Sequence, residues 1–337
     1  MMIVMGKPRM SMLDRRAFLA GAAAIAAGGC ADDDNFSLIA DDDDTPLVIP
    51  PEGQARVAVR GGEIWYRVVG NGPGAPLLVV HGGPGLSHDY LLPLEALGRD
   101  RAVIFYDQLD CGKSDKPGAP ANWQISRFVD EIRVLSASLG LNRYHLLGHS
   151  WGGLLAAELA ATNSRNLVSC VLASPLISAQ QWMSDNLRWR KLLPSEVRQV
   201  LDENEAAGTV RSTAYQQAAM AFYRRHLCRM EPWPQPLMTS LEEGNSALYR
   251  TMWGETEFRA TGSLHDYDGT PNLARITVPL LFTCGEFDEA PPATLHRYSK
   301  LAVGSEVRVF TDASHTAHLE QEEAYIHALA TWLNGIG

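Results

Sequence analysis

The sequence has no glycine-rich phosphate loop, and no paired Cys or His cluster has metal-ligand spacing. Neither a cofactor nor a metal is therefore implied. Positive charge is also short: 29 Lys and Arg against 39 Asp and Glu leave a formal −10, which makes nucleic acid a poor partner. The Ala/Gly-rich apolar stretch 17–29 falls short of the about 20 residues a membrane-spanning helix needs. What is plentiful is apolar residues, 46% of 337, enough for one large α/β domain or two ordinary ones.

The first 30 residues read as a targeting segment. Arg15 and Arg16 precede that short apolar stretch, and Cys30 follows "AAGG". The arrangement resembles a twin-arginine export signal ending at the lipidated cysteine of a bacterial lipoprotein. Ala27 stands where a larger aliphatic residue is commoner. The expected location is periplasmic or membrane-anchored, with membrane contact only through a lipid on Cys30. Residues 31–53, with seven aspartates and prolines at the end, read as an acidic solvated linker. The exported part would carry 25 basic and 38 acidic residues. Cys111, Cys170, Cys228 and Cys284 could pair outside the cytoplasm, and spacing does not choose among pairings.

From residue 54 the pattern alternates strands with helices. Gln54 to Gly70 gives two alternating runs around Gly61-Gly62, a hairpin. "PLLVVH" and "RAVIFYDQ" read as buried strands ending near His81 and Asp107. Apolar residues at helical spacing mark an amphipathic helix from Gln124 to Leu139. Strand signal then lapses from about Ser178 to Pro271 and resumes at "VPLLFTCGEFD" and "EVRVFTDASH". The expectation is an α/β fold, a mostly parallel sheet flanked by helices, formed by residues 54–177 and 272–337, with a helical insertion at 178–271. Ligands bind beyond the carboxyl ends of such strands, where His81, Ser150, Asp288 and His315 fall.

Between an apolar run and a stretch of helix formers lies "GHSWGG", residues 148–153. A G-x-S-x-G at a strand-to-helix turn can be a nucleophile elbow, its glycines relieving crowding around a projecting Ser150. Serine needs a base. His315 directly follows a strand, whereas His318 in the next helix reads as a surface or supporting residue. Asp288 would hold the imidazole, with Glu286 and Glu289 as nearby loop acids, and the chain order Ser, Asp, His is that of α/β hydrolases. For the oxyanion hole, Trp151 offers the amide after the nucleophile and "HGGPG" a second, from Gly83. His81 and His149 are expected to brace loops.

"HGGPGLSHDY", "FYDQLDCGKSD", "GHSWGG", "FTCGEFDEAPP" and "DASHTAHLE", in that order, resemble the proline iminopeptidase family of serine peptidases. The resemblance runs from about Gln54 to Trp332. It implies an α/β-hydrolase fold with a helical cap and metal-free removal of an N-terminal residue, often proline, from short peptides. It also matches Glu257, in "MWGETEFRATG", and Glu289 to acids that bind the substrate amine. Glu255 lies two residues away, but only Glu257 precedes the Phe of the pattern. Two positions depart from the family: Asp110 for a usual glycine, and Trp151 for a commoner tyrosine. Relatives with the same motifs act as amidases on amino-acid amides, so an amidase or esterase on small amino-acid derivatives is the competing expectation. Ser150 argues against a dehalogenase, which needs a carboxylate at the elbow. A non-catalytic binding protein on the same fold is the third reading, and an intact Ser, Asp, His set argues against it.

Overall fold

The structure is a computed structural model and describes residues 46–162 and 165–336. The export signal, Cys30 and the linker as far as residue 45 lie outside the described residues. The linker boundary at residue 53 is too late. Pro46 and Val48 already exchange hydrogen bonds with the Asn142 side chain, and Pro50 is buried.

In chain order the core has β1 (Gly53–Val59), β2 (Gly62–Val80), β3 (Arg101–Tyr106), α1 (Ile125–Ser138), β4 (Tyr144–His149), α2 (Trp151–Thr162) and β5 (Leu167–Ala173). The helical insertion follows: α3 (Ala179–Arg190), α4 (Ser195–Ala207), α5 (Thr213–His226), α6 (Gln235–Glu242) and α7 (Ser246–Met252). The core resumes with the short α8 (Thr270–Leu273), β6 (Leu280–Gly285), α9 (Pro292–Leu301), β7 (Glu306–Phe310), α10 (Ala317–Glu320) and α11 (Glu322–Asn334). The sheet runs β1-β2-β4-β5-β6-β7, and β3 also pairs with β2. From β2 to β7 the pairs are parallel, while β1 and β3 run antiparallel to β2.

One sequence expectation needs correction. The second hairpin arm and "PLLVV" are a single strand, β2, although "GNGPGAP" between them has loop composition. That stretch stays in the sheet because it pairs irregularly with β3, and its glycines allow close backbone approach. A Cβ on Gly70 would lie 2.2 Å from the Gly98 carbonyl oxygen.

Side chains alternate across the sheet with period two. Leu78, Val80, Ile104, Leu146 and Leu172 pack into the layer that holds α1, α2 and α9. Leu77, Val79, Val103, Leu147 and Val171 face the layer that holds α11 and α6. With both faces buried, the strands read as continuous apolar runs. The insertion has its own apolar centre of Leu201, Tyr215, Ala218, Phe222 and Phe258. Its two ends meet where Ala179 N donates to Tyr267 O at 3.0 Å and Gly269 N to Ile177 O at 2.8 Å. Cys111, Cys170, Cys228 and Cys284 are all buried free thiols.

Candidate active site

Only Ser150 separates β4 from α2, and its φ of 58° is left-handed, an unusual state for a side-chain-bearing residue. The turn is pinned on both sides: Ser150 N donates to Ala173 O at 2.9 Å, and Ser150 O accepts from Leu176 N at 3.1 Å. The flanking glycines are required by space. A Cβ on Gly148 would sit 2.1 Å from the Gly152 carbonyl oxygen, and one on Gly152 would sit 2.2 Å from that of Val80. A nearly inextensible turn therefore aims the serine at the cavity between sheet and insertion.

Asp288 lies three residues beyond β6, held by its own loop and by β5. Its Oδ2 accepts from Ser174 Oγ at 2.6 Å and from Gly285 N at 3.2 Å; Oδ1 accepts from Ala290 N at 2.9 Å. Oδ1 also faces His315 Nδ1 at 2.8 Å. Because a carboxylate accepts only, Nδ1 carries the proton and Nε2 keeps its lone pair. The sequence puts His315 directly after a strand, and the structure corrects this. β7 ends at Phe310, and His315 sits on the loop beyond, fixed by His315 N donating to His226 O at 3.0 Å. Among the described residues no hydrogen bond joins Ser150 to His315; such catalytic contacts commonly tighten only around substrate.

His318 is not a surface residue. It is buried, and its Nε2 donates to Tyr90 O at 3.0 Å. Burial, together with the neighbouring His315, pulls its pKa down to about 3 despite that bond. It is thus neutral and engaged as a brace.

Loop 81–85 lies against the elbow, so that a Cβ on Gly82 would come within 3.0 Å of Ser150 Cβ. Its brace is Gln108, whose N–H donates to His81 Nε2 at 3.0 Å and whose side-chain amide donates to His81 O at 2.8 Å. Gln108 Oε1 in turn accepts from Trp151 Nε1 at 2.9 Å. Tyr90 adds a second brace, accepting from Gly82 N at 2.8 Å and donating to His149 Nδ1 at 2.8 Å. His149 Nε2 donates to His315 O at 2.9 Å. His81 and His149 are therefore both loop braces. Among the described residues no hydrogen bond occupies the amide of Gly83 or of Trp151. Gly83, at φ 119°, adopts a backbone state that favours glycine.

The cavity, about 510 Å³, is lined by Ser150, His315 and Gly83 together with Trp182, Glu257 and Glu289. Glu257, beyond α7, accepts from Trp182 Nε1 and from Tyr249 Oη, each at 2.7 Å. Glu289 is 3% exposed, with Oε1 lacking any partner and Oε2 3.9 Å from His315 Nε2. Burial pushes its pKa well up, and the charges of Glu257 and Asp288 add to that. The other acids stand apart: Glu255 pairs with Arg211 at the exposed rim, and exposed Glu286 accepts from Asp312 N at 3.2 Å.

Residues 75–322 match the family model described as alpha/beta hydrolase fold. The proline iminopeptidase of Heyndrickxia coagulans is 39% identical over 282 residues, covering 83% of this chain and 98% of that protein. The crystal structure of the proline iminopeptidase of Mycobacterium smegmatis superposes with a TM-score of 0.79 at 38% identity, covering 84% of this chain and 98% of that one. VinJ, 35% identical, superposes at 0.82 over 86% of this chain and 100% of its own. The chain belongs to the proline iminopeptidase family of α/β hydrolases. It is an enzyme, a serine hydrolase of aminopeptidase type.

The two departures from the family pattern have physical accounts here. Asp110 has φ 68°, a left-handed state that explains a usual glycine. In this member its carboxylate accepts from Gly118 N at 2.7 Å and from Trp123 Nε1 at 2.8 Å. Trp151 keeps the amide of the proline iminopeptidase tyrosine and adds the indole bond to Gln108. Ser174, Tyr90, Trp182 and Tyr249 also belong to the site, although the sequence does not single them out. Tyr90 and Gln108 lay inside quoted motifs, but nothing local marks Ser174 or Trp182.

Proposed function

We propose that this enzyme releases an N-terminal residue, preferably proline, from short peptides through an acyl-enzyme formed on Ser150. His315 Nε2 takes the hydroxyl proton as Oγ attacks the scissile carbonyl, and Asp288 stabilises the imidazolium that forms. The amides of Gly83 and Trp151 receive the developing oxyanion, and His315 returns its proton to the leaving amine. Water then repeats the sequence to free the acid.

The observation that carries the exopeptidase reading is the pair of carboxylates, Glu257 and Glu289, in the cavity with Ser150. An ammonium group is costly to desolvate unless acceptors receive it; Glu289 Oε1 is a buried acceptor without a partner, and the incoming positive charge itself favours ionisation of the carboxyl. Such a pair counts one residue from the free amine. The test compares prolyl-naphthylamide, prolinamide and a Pro-Gly dipeptide, with their alanyl counterparts. Turnover of the prolyl peptide and arylamide well above prolinamide supports the peptidase. Activity confined to prolinamide would replace that reading with the amidase.

Export by the twin-arginine route, with lipid attached at Cys30, is part of the same proposal. It is supported by Arg15-Arg16 and the short apolar stretch that follows.

A further inference from the structure

The acid and the base of the site sit on two separate loops, and the same two aromatic side chains of the insertion hold both. The Trp189 indole of α3 donates to Asp288 O at 2.8 Å. His226, the last residue of α5, donates from Nδ1 to Phe287 O at 2.7 Å. The two rings are stacked, with centroids 4.6 Å apart and planes 25° apart. His226 also reaches the loop of the base, because its own carbonyl accepts from His315 N at 3.0 Å. That carbonyl is one of those an α-helix leaves unpaired at its C-terminus. Thr316 N repeats the contact one residue on, donating to Leu227 O at 3.1 Å.

We propose that Trp189 and His226 are positioning residues, a clamp through which the insertion sets the geometry of the Asp288–His315 pair. The inference rests on the Ser150, His315 and Asp288 mechanism proposed above. It adds two residues that lie outside the cavity, since neither ring lines it.

The core alone does not complete these loops. It fixes the Asp288 carboxylate through Ser174 Oγ and the amides of Gly285 and Ala290. It ties the loops together where Phe287 N donates to Ala313 O at 2.9 Å, and it holds His315 O through His149 Nε2. Among the described residues the core offers no partner to three further backbone groups: the carbonyls of Phe287 and Asp288 and the amide of His315. All three are met by Trp189 and His226. A backbone group left unpaired in a buried setting pulls its loop toward another partner, so losing the clamp moves the acid relative to the base. The donor state is fixed as well. Burial holds His226 at about 4, so its ring is neutral at neutral pH, and a carbonyl partner puts the one proton on Nδ1. The bond from His315 Nδ1 to Asp288 depends on direction as well as distance, and a misplacement of about 1 Å can cost about 100-fold in rate.

The test uses Trp189→Phe, which keeps a stacking ring and deletes the N–H, with His226→Leu and His226→Asn. Leu fills the space without a donor, Asn restores an N–H close to Nδ1, and each variant retains the residue 226 carbonyl. The readouts are kcat and KM on prolyl-naphthylamide, the urea midpoint, and the low-field proton resonance of the Asp288–His315 bond, assigned by its loss in Asp288→Asn. Trp189→Phe and His226→Leu should each lower kcat by about 10- to 100-fold, keep KM within about twofold, and shift or broaden that resonance. His226→Asn should recover most of the loss. A kcat near wild type in both Trp189→Phe and His226→Leu overturns the clamp, whatever the midpoint, because it leaves only a structural role. KM rising while kcat holds also overturns it, as does a His226→Asn protein no more active than His226→Leu. Should His226→Leu fail to fold, Trp189→Phe decides. Wild-type activity in His315→Ala would remove the mechanism itself, and the clamp with it.

Discussion

The Trp151 indole donates to Gln108 Oε1 at 2.9 Å, so the residue after the nucleophile is tied to a side chain that also holds His81. Gln108 thereby fixes the separation of the two amides proposed for the oxyanion hole. Gln108→Ala should lower kcat by about 10- to 100-fold, below the loss from deleting an oxyanion donor outright, because the donors remain but drift. KM should move little. Steady-state kinetics on an arylamide checks this, and a rise in KM at constant kcat would show that Gln108 shapes substrate binding instead.

The two histidines of "DASHTAHLE" should separate cleanly. His315→Ala and Ser150→Ala should each abolish turnover at near-normal stability, a loss of many orders of magnitude. His318→Ala removes the bond to Tyr90 O and should cost about 1–3 kcal/mol of folding stability with much activity retained. Urea unfolding beside arylamide turnover distinguishes the outcomes; activity lost only in the His318 variant would reassign the base.

Acid should destabilise the fold well before its surface carboxylates protonate. Burial holds His145 at about 3, with Arg101 and Arg143 adding, and His226 at about 4; it also lowers His81 and His149. With His318 at about 3, these rings are neutral in the fold and bind protons near pH 6.5 once unfolded. Between those values the unfolded chain holds more protons, so stability falls as pH drops from about 6.5 toward 4. Glu131, pushed up to about 7 by burial, and Glu289 act in the opposite direction over part of the range, but the histidines outnumber them. Melting temperatures at pH 7.5, 6.5, 5.5 and 4.5 should fall in that order, and His145→Asn should flatten the decline.

Asp110 offers a test of backbone strain against side-chain bonding. Asp110→Gly relieves about 1–2 kcal/mol of left-handed strain. It also deletes two charge-assisted bonds, each worth about 1.5–3 kcal/mol, so a modest net loss is expected. Asp110→Ala loses the bonds and keeps the strain, so it should be the less stable variant. Denaturant midpoints order the three proteins; a Gly variant more stable than wild type would show the bonds to be worth less than the strain.

Export has its own readout. Arg15→Lys with Arg16→Lys should leave the protein in the cytoplasm, and Cys30→Ala should release it from membranes into the soluble fraction. Unchanged fractionation of both variants would remove the targeting proposal.

The sequence by itself determined the fold and the order of the site. Period-two burial makes continuous apolar strands, helical spacing makes α1, and the motif order places serine, acid and base beyond the carboxyl ends of β4, β6 and β7. The glycines of 148–153 were readable because their reason is local: a tight turn leaves no room for Cβ. What only the tertiary structure decided depends on contacts between distant segments. Ser174, just beyond β5, reaches Asp288, and Trp182 of the insertion reaches Glu257 75 positions away. The status of Glu289 is the clearest case. The resemblance singles out its position in the sequence, but only burial under the insertion leaves its carboxyl 3.9 Å from the base with an oxygen unpartnered. Desolvation and the summed field of neighbouring charges are properties of enclosure, and a linear pattern of residues does not carry them.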